Sequence, residues 1–344
     1  MRLTMIRPDD WHLHLRDGSA MADVVHHTHR VFARALVMPN LRPPVVTTDQ
    51  ALQYRQRILD ALPAGSRFDP LMALYLTDET SPDEVARARA SGCVVAAKLY
   101  PAGATTNSDS GVTNIDRVRH TLAAMEELDL PLLVHGEVTD PGVDQFDREA
   151  VFIDRILDPL VRQFQGLRIV LEHVSTHEGV QFVKDAPERV AATVTPHHLL
   201  LNRNDLFAGG LNPHHFCLPV LKAERHREAV MEAAIGDDPR FFLGTDSAPH
   251  PRAGKETSHG CAGVFCAHAA IELYAEAFDR AGALDRLQAF ASERGADFYR
   301  MPRNTSRVTL VRRPWQVPAS YPFADEEVVP LRAGQVVQWR VADE

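Results

Sequence analysis

The chain has 344 residues, of which 45% are hydrophobic and 24% are charged, and its formal net charge is −9. This composition is typical of a globular protein with a large apolar core. The negative balance argues against an extended nucleic-acid interface, and no apolar run approaches the ~20 residues that a membrane span requires. We therefore expect a cytoplasmic protein without nucleic-acid or membrane partners, with room for a local basic site that binds a small anion.

The cysteines and the N-terminus support this expectation. None of the four cysteines stands in a CxxC pair, so they predict reduced thiols and not a disulfide framework. The N-terminal residues contain no apolar signal region.

Short apolar runs alternate with longer amphipathic stretches along most of the chain. The runs that predict strands cover residues 11–15, 35–38, 71–76, 94–99, 132–135, 169–173, 190–195 and 241–246. The stretches that predict helices include 49–61, 82–90, 115–127, 149–164 and 222–234. Eight strand–helix units in alternation favour an α/β fold of the TIM type, a closed (β/α)8 barrel, over an open sheet.

Two regions fall outside this alternation. Residues 305–344 are Pro-rich and then strand-like, which predicts a short C-terminal extension packed on a single barrel domain that spans 1–344. Residues 100–114 are rich in Gly, Thr, Ser and Asn and follow the fourth predicted strand, which indicates a mobile loop at the active-site face.

Histidines stand at the ends of three predicted strands. His12 and His14 are two residues apart on a strand, so both side chains face the same way. His135 and His173 each end an apolar run. A lone histidine in such a place is more often a satisfied core residue, and an isolated HxH pair is a weak signal. Their recurrence at one end of a barrel, where catalytic residues collect, favours metal ligands.

A lysine and an aspartate complete the set. Lys98 ends the run 94–97, and burial would lower its pKa toward a neutral amine. That amine can react with CO2 to form a carbamate whose two oxygens bridge two cations; the alternative is a lysine whose head group reaches solvent. Asp246 ends another run, where a carboxylate can bind a metal and accept a proton from bound water.

These residues divide into two ligand sets that share the lysine. One metal would take His12, His14, the Lys98 carbamate and Asp246; the other would take the carbamate, His135 and His173. Nitrogen and oxygen ligands without thiolate suit zinc, with manganese, cobalt or iron as alternatives. A hydroxide between the metals would be the nucleophile, with Asp246 as the catalytic general base and acid.

Six segments carry a family resemblance: DWHLHLR (10–16), VMPNL (37–41), AKLYP (97–101), VHGE (134–137), LEH (171–173) and GTDSAPH (244–250). In these segments, and in their order, the chain closely resembles the dihydroorotase family, in its shorter stand-alone type within the amidohydrolase superfamily. The resemblance implies reversible interconversion of L-dihydroorotate and N-carbamoyl-L-aspartate in pyrimidine synthesis. It also implies a homodimer and two Zn2+ per subunit, bridged by N6-carboxylated Lys98 and a hydroxide.

The same resemblance implies a substrate site. Arg16, Asn40 and His250 would hold the substrate carboxylate, and a guanidinium suits that role independently because it pairs with a carboxylate through two parallel hydrogen bonds. The remaining implied substrate contacts are His14, His135, the backbone near Leu218 and Ala262, and the loop residues Thr105 and Thr106.

Several histidines and acids lie outside this assignment. The family usually has one histidine where this chain has His197 and His198, and we leave both outside the metal set. The group His26, His27 and His29 is expected to be exposed on a helix that follows the first predicted strand. Glu172 stands beside a predicted ligand histidine and could orient it by a hydrogen bond. Strand alternation, however, turns Glu172 away from His173, so a purely structural role for Glu172 is equally open. Glu137 is the other such acid.

Two other functions are weighed against this one. The first is another cyclic amidase, of the hydantoinase or allantoinase type, which the anion clamp of Arg16, Asn40 and His250 argues against because those rings are neutral. The second is a non-catalytic barrel, which predicts lost ligands, whereas every ligand position is filled here.

Overall fold

The structure, a computed structural model, describes residues 1–342. Its strands are β1 (Arg2–Ile6), β2 (Asp9–Leu13), β3 (Arg34–Val37), β4 (Asp69–Tyr75), β5 (Val94–Leu99), β6 (Leu132–Val134), β7 (Ile169–Leu171), β8 (Val190–Val194), β9 (Phe241–Leu243), β10 (Arg307–Gln316), β11 (Tyr321–Phe323), β12 (Glu326–Val328) and β13 (Val336–Val341). Each of the eight predicted strands is present, and most end one to three residues earlier than expected.

The helices alternate with these strands. They are α1 (Gly18–His29), α2 (Thr48–Asp60), α3 (Pro82–Ala90), α4 (Arg119–Glu127), α5 (Arg148–Phe152), α6 (Asp158–Gln163), α7 (His177–Asp185), α8 (Pro196–Leu200), α9 (Glu224–Ile235), α10 (Arg252–Lys255), α11 (Ala270–Arg280) and α12 (Arg294–Phe298). The start of α3 is capped: the Ser81 side chain accepts a hydrogen bond from the amide of Glu84, and Pro82 occupies the first turn.

Strands β2 to β9 form one parallel sheet in chain order. A parallel bridge between Leu13 and Ser247 joins the first strand of this sheet to the end of the last. The amide of Asp246 also donates to the carbonyl of His12 at 2.9 Å across the same seam. The prediction of a TIM-type (β/α)8 barrel is therefore confirmed.

Barrel closure brings two backbones close together beneath the site. A Cβ atom at Gly244 would lie 2.7 Å from Cβ of Thr193 and 3.0 Å from Cβ of His12. Packing therefore requires a glycine at residue 244, the first residue of the 244–250 segment.

The two ends of the chain meet in a second sheet. Strands β1, β10 and β13 pair antiparallel, with Thr4 opposite Thr309 and Leu310 opposite Val341. Strand β1 was not predicted from the sequence, because it is short and pairs with a partner about 300 residues away. The sheet covers α11, where the indole nitrogen of Trp339 donates to Asp279 at 3.1 Å.

The histidines of α1 differ from their expected exposure. His26 is exposed and His29 is half-buried, but His27 is only 8% exposed. The His27 ring packs edge-on against Tyr321 and Phe265, with centroid distances of 4.7 and 5.5 Å. The prediction of a wholly exposed cluster is wrong because β11, far along the chain, covers one face of the helix.

The remaining features concern the thiols and the helices. All four cysteines carry free thiols. Among residues 1–342, no helix is long and apolar enough to cross a lipid bilayer.

Candidate metal centre and substrate site

The predicted ligands converge at the carboxyl ends of the barrel strands. Nε2 of His12 lies 3.3 Å from Nε2 of His14 and 3.4 Å from Oδ1 of Asp246. Nε2 of His14 lies 3.1 Å from the same carboxylate oxygen. The ring centroid of His173 is 5.2 Å from that of His12 and 4.8 Å from that of His135. All five side chains are at least 90% buried.

The tautomers of the first two histidines favour a cation between them. Nδ1 of His12 contacts Oε2 of Glu172 at 2.7 Å, and Nδ1 of His14 contacts Oδ1 of Asn40 at 2.8 Å. Each Nδ1 must donate to these oxygen acceptors, so each Nε2 carries a lone pair. Two lone pairs and a carboxylate that face one another in a buried space repel each other unless a cation joins them.

Further unpartnered atoms lie beside this group. Nζ of Lys98 and Nδ1 of His173 are buried without a hydrogen-bond partner among the described residues. Nε2 of His135 donates to Oε2 of Glu137 at 2.8 Å, which leaves Nδ1 of His135 with its lone pair. The donor set therefore fits bound metal: four imidazoles with available nitrogens, a carboxylate and a buried amine.

Burial sets the protonation of these groups. It lowers the pKa of Lys98 to about 8, against the opposing influence of Glu172 and Asp246. It also lowers the pKa of His14 to about 4, so that imidazole is neutral. The lysine is thus unusually easy to deprotonate.

Left-handed backbone positions explain how two ligands reach the centre. His173 has φ of 43° and Asp246 has φ of 44°, both outside the strands that precede them. At His173 the backbone is no longer extended, so Glu172 and His173 both point into the barrel mouth instead of alternating. Such strain in residues other than glycine is typical of functional sites.

Glu172 was expected to point away from the predicted metal ligands, but its side chain contacts one of them. Its Oε2 accepts from Nδ1 of His12 on the opposite side of the barrel and from the hydroxyl of Thr193 at 2.5 Å. It supports His12, not its neighbour in the chain, and thereby fixes the orientation of a ligand ring.

Asp10 is a supporting residue that the sequence did not single out. Its carboxylate accepts from the amide of Thr245 at 2.8 Å, from the hydroxyl of Thr245 at 2.6 Å and from the amide of His12 at 3.2 Å. It thus joins the first and last barrel strands directly behind two ligands. The only sequence signal is its position in the 10–16 segment.

The predicted anion clamp forms a second cluster beside the metals. Nη2 of Arg16 lies 2.9 Å from Nε2 of His250, and Nε of Arg16 donates to the carbonyl of Pro249 at 2.8 Å. Nδ2 of Asn40 donates to the carbonyl of Thr106 at 3.0 Å. Burial lowers the pKa of His250 to about 2, so this ring is neutral and the cluster's positive charge resides on Arg16.

The loop at residues 100–114 lies over this cavity. The hydroxyl of Thr106 donates to the carbonyl of Ala262 at 3.2 Å, and Nδ2 of Asn107 donates to the carbonyl of Asn40 at 2.9 Å. The cavity beneath measures about 20 Å³, which is room for about one water molecule. With the loop in this position, the cavity does not accommodate a ring-sized molecule.

One cavity brings together most of the predicted site residues. Its lining includes His12, His14, Arg16, Asn40, Thr105, Thr106, His135, His173, Leu218, Asp246 and Ala262. Lys98 lies beneath this lining with no exposed surface, and His250 lies behind Arg16. Tyr100, Ala248 and Gly263 also line the cavity but were not predicted. Tyr100 follows Lys98 by two residues, which is the one signal that pointed to it.

A second group of potential ligands adjoins the site. His197, His198 and Cys217 are buried, and their ligand atoms lie within 4.8 Å of one another. Nδ1 of His198 meets the hydroxyl of Thr195 at 2.8 Å and its Nε2 meets the carbonyl of Pro219 at 3.1 Å. The thiol of Cys217 donates to that carbonyl too. Two of the three side chains are thus already hydrogen-bonded, whereas both ring nitrogens of His197 are buried without a partner among the described residues.

Comparison with known proteins agrees with the fold. The model of the amidohydrolase family matches residues 4–314. A dihydroorotase from Nitrosomonas europaea is 63% identical over 99% of this chain and 98% of the relative. The crystal structure of a dihydroorotase from Campylobacter jejuni superposes with a TM-score of 0.91 at 35% identity, covering 99% of this chain and 98% of the other.

A dihydroorotase from Saccharomyces cerevisiae in complex with 5-fluoroorotic acid superposes with a TM-score of 0.90 at 31% identity, again over 99% of this chain and 98% of the other. The L-hydantoinase of Arthrobacter aurescens is 17% identical with a TM-score of 0.77, covering 99% of this chain and 83% of the other, and shows the fold alone. The chain thus belongs to the amidohydrolase family. Within that family it belongs to the dihydroorotases.

Proposed function

We propose that the chain is a two-zinc dihydroorotase that interconverts L-dihydroorotate and N-carbamoyl-L-aspartate, and that it works in the cytoplasm as a homodimer. It is a hydrolase that acts on a cyclic amide C–N bond. The observation that carries the specific substrate is the juxtaposition of two clusters in one cavity: buried nitrogens that require cations and an arginine-based anion clamp.

The metal assignment is argued from the atoms that lack a partner. His12, His14 and Asp246 would hold one ion, and His135 and His173 would hold the other. Lys98, as a carbamate, would bridge the two; the pKa of about 8 leaves part of this amine neutral and able to react with CO2 at neutral pH. Bound there, two zinc ions would polarise a carbonyl oxygen and lower the pKa of water toward neutrality.

The chain's own residues position the substrate. Arg16 would pair with the ring carboxylate, with Asn40 and His250 on the same group, and this pairing sets which carbonyl of the ring faces the metals. The Asn40 side chain also contacts His14, so a single residue links the anion clamp to the metal centre. A neutral hydantoin ring has no group for this clamp.

Asp246 would move the proton of the reaction. In hydrolysis, water adds to the ring carbonyl carbon; Asp246 takes a proton from that water and delivers it to the departing ring nitrogen as the C–N bond breaks. The new acid then ionises and releases a proton, so acidic conditions favour ring closure. Closure follows the same steps in reverse.

The loop at 100–114 would exclude water once substrate is bound. Thr105 and Thr106 line the cavity in the docked position, where the loop already contacts Ala262 and Asn40. With substrate present, Thr106 would exchange part of these contacts for the substrate carboxylate. Leu218 and Ala262 would meet the ring edge through their backbones.

The test is the rate of L-dihydroorotate ring opening by zinc-loaded protein, with hydantoin and allantoin measured in parallel. We expect loss of dihydroorotate alone, abolished by a chelator and restored by zinc. Turnover of a neutral ring would overturn the substrate assignment and leave the metal centre. Bound metal without any turnover would favour the non-catalytic barrel.

A further inference from the structure

Lys255 lies outside the predicted site and is only 4% exposed. Its Nζ donates to the carbonyls of Phe216, Cys261 and Gly263 at 2.9, 3.0 and 2.5 Å. An ammonium group has three donors, and here all three are used by main-chain oxygens. This complete set of hydrogen bonds offsets the cost of burying the charge.

The three carbonyls belong to two segments that line the anion side of the cavity. One is the stretch 216–218, which ends at Leu218, and the other is the stretch 260–263. The amide of Gly263 donates to the carbonyl of Phe216 at 3.0 Å, so the two segments also bind each other. Lys255 therefore joins them at one point beneath the substrate pocket.

Ala262 lies between two of the residues that Lys255 holds. Its carbonyl accepts from the Thr106 hydroxyl at 3.2 Å and contacts Nε2 of His250 at 2.9 Å. The docked loop, through Thr106, and the anion clamp, through His250, thus both contact this carbonyl. The ammonium of Lys255 binds the carbonyls of the two neighbouring residues, Cys261 and Gly263.

The backbone of the 260–263 segment is tightly packed against its neighbours. Gly263 has φ of +151°, and a Cβ atom there would lie 2.6 Å from the carbonyl oxygen of Ala248 and 2.8 Å from Cδ2 of His250. The backbone of the segment therefore packs directly against the His250 ring. A shift of this backbone displaces His250 as well as the Ala262 carbonyl.

We propose that Lys255 is a positioning residue for the carboxylate-binding half of the active site. It holds the 216–218 and 260–263 segments in the register that aligns His250, the Ala262 carbonyl and the docked loop. This proposal rests on the proposed function, because its kinetic consequence is measured with dihydroorotate. The metal centre is held by other elements and does not depend on Lys255.

The test compares Lys255→Met with Lys222→Met. Lys222 is also buried, at 3% exposed, but its Nζ donates to a single carbonyl, that of Val220, at 2.9 Å. We expect Lys255→Met to raise the KM for dihydroorotate about tenfold or more with kcat changed far less, and to retain two metals. Lys222→Met should keep the wild-type KM even where its stability falls equally.

A second readout is independent of turnover. Hydrogen exchange should accelerate in peptides covering 103–111 and 260–263 in Lys255→Met and stay unchanged there in Lys222→Met. If Lys255→Met does not fold, Lys255→Gln, which keeps an amide donor without the charge, takes its place with a smaller expected effect. Unchanged KM and exchange, or equal changes in the Lys222 variant, would overturn the proposal. Failure of the wild type to open dihydroorotate would instead overturn the proposed function.

Discussion

The two halves of the proposed active site are built differently: the metal half comprises His12, His14, Lys98, His135, His173 and Asp246, and the anion half comprises Arg16, Asn40 and His250. The residues of the metal half lie at the ends of barrel strands, and their side chains are oriented by hydrogen bonds to buried partners such as Glu172 and Asn40. The anion half stands on loops, and its side chains contact main-chain carbonyls such as those of Pro249 and Ala262. The first half is fixed by barrel closure, whereas the second depends on how distant loops meet.

This difference separates chemistry from recognition. Ligand geometry tolerates little displacement, and strands joined by ladder hydrogen bonds supply that rigidity. Under the proposed function, substrate entry requires motion, because the cavity of about 20 Å³ beneath the docked loop has no room for a pyrimidine ring. Loops that dock through a few hydrogen bonds allow such opening. Variants in the two halves should therefore fail in different ways.

The largest effect is expected for Lys98→Met in the metal half. Without the amine no carbamate forms, so the bridge between the two ion sites is lost. We expect metal content to fall from two ions to one or none per chain and kcat/KM to fall by ~1000-fold or more. Elemental analysis and the dihydroorotate assay measure both.

Chemical rescue provides the control for this variant. In Lys98→Ala, which leaves space beyond the shortened side chain, a short carboxylate such as acetate or propionate supplies the two oxygens that the carbamate would have provided, and should restore part of the metal content and rate. Full metal occupancy and normal turnover in Lys98→Met without rescue would show that the lysine does not bridge the ions.

In the anion half, Arg16→Met should impair the binding and orientation of the substrate and leave the metals in place. Loss of a charge-assisted pair with the substrate carboxylate is expected to raise the KM for dihydroorotate by roughly 100-fold. Metal content should stay at two ions per chain, since Arg16 contacts His250 and Pro249 and no proposed ligand. Steady-state kinetics beside elemental analysis measures this. Loss of metal in this variant would mean that the two halves are not independent.

The predictability of the site from sequence follows the same division. His135, Lys98 and Asp246 were singled out because each ends an apolar run, and a barrel collects such ends on one face. The partner of Glu172 was missed because the backbone leaves the extended conformation at His173, where φ is 43°. The alternation of side-chain directions along a strand therefore does not hold at His173, the residue to which the prediction applied it.

Long-range packing accounts for the other differences. His27 is buried by Tyr321 and β1 pairs with β10, and each partner lies about 300 residues away in the chain. The positions of Arg16 and His250 came from the family resemblance, because no periodicity marks loop residues. The role of Asp10 depends on contact across the barrel seam, which only the closed fold reveals.

A matched pair of variants tests how the ligand rings are oriented. Glu172→Gln and Glu137→Gln each weaken the acceptor that holds one histidine, His12 or His135. Both should reduce zinc affinity by about 10- to 100-fold with little change in the KM of the zinc-saturated enzyme. Competition with a chelating dye measures the affinity. A normal affinity in Glu172→Gln would assign that residue a purely structural role.

The smallest effect is expected for Thr106→Val, where the loop meets the anion half. The variant loses the hydroxyl that donates to Ala262 at 3.2 Å, a neutral hydrogen bond worth about 1 kcal/mol or less. The KM for dihydroorotate should rise about two- to fivefold, because the docked loop is destabilised and the hydroxyl is lost as a substrate contact.

Thr113→Val is the control: it removes a hydroxyl from the same loop, but one that donates to Asp78 at 2.6 Å, away from the cavity. If both variants raise KM equally, the effect comes from the overall order of the loop and not from its contact with Ala262. If only Thr106→Val raises KM, the loop docks through the Ala262 carbonyl, which is the carbonyl that Lys255 helps to position.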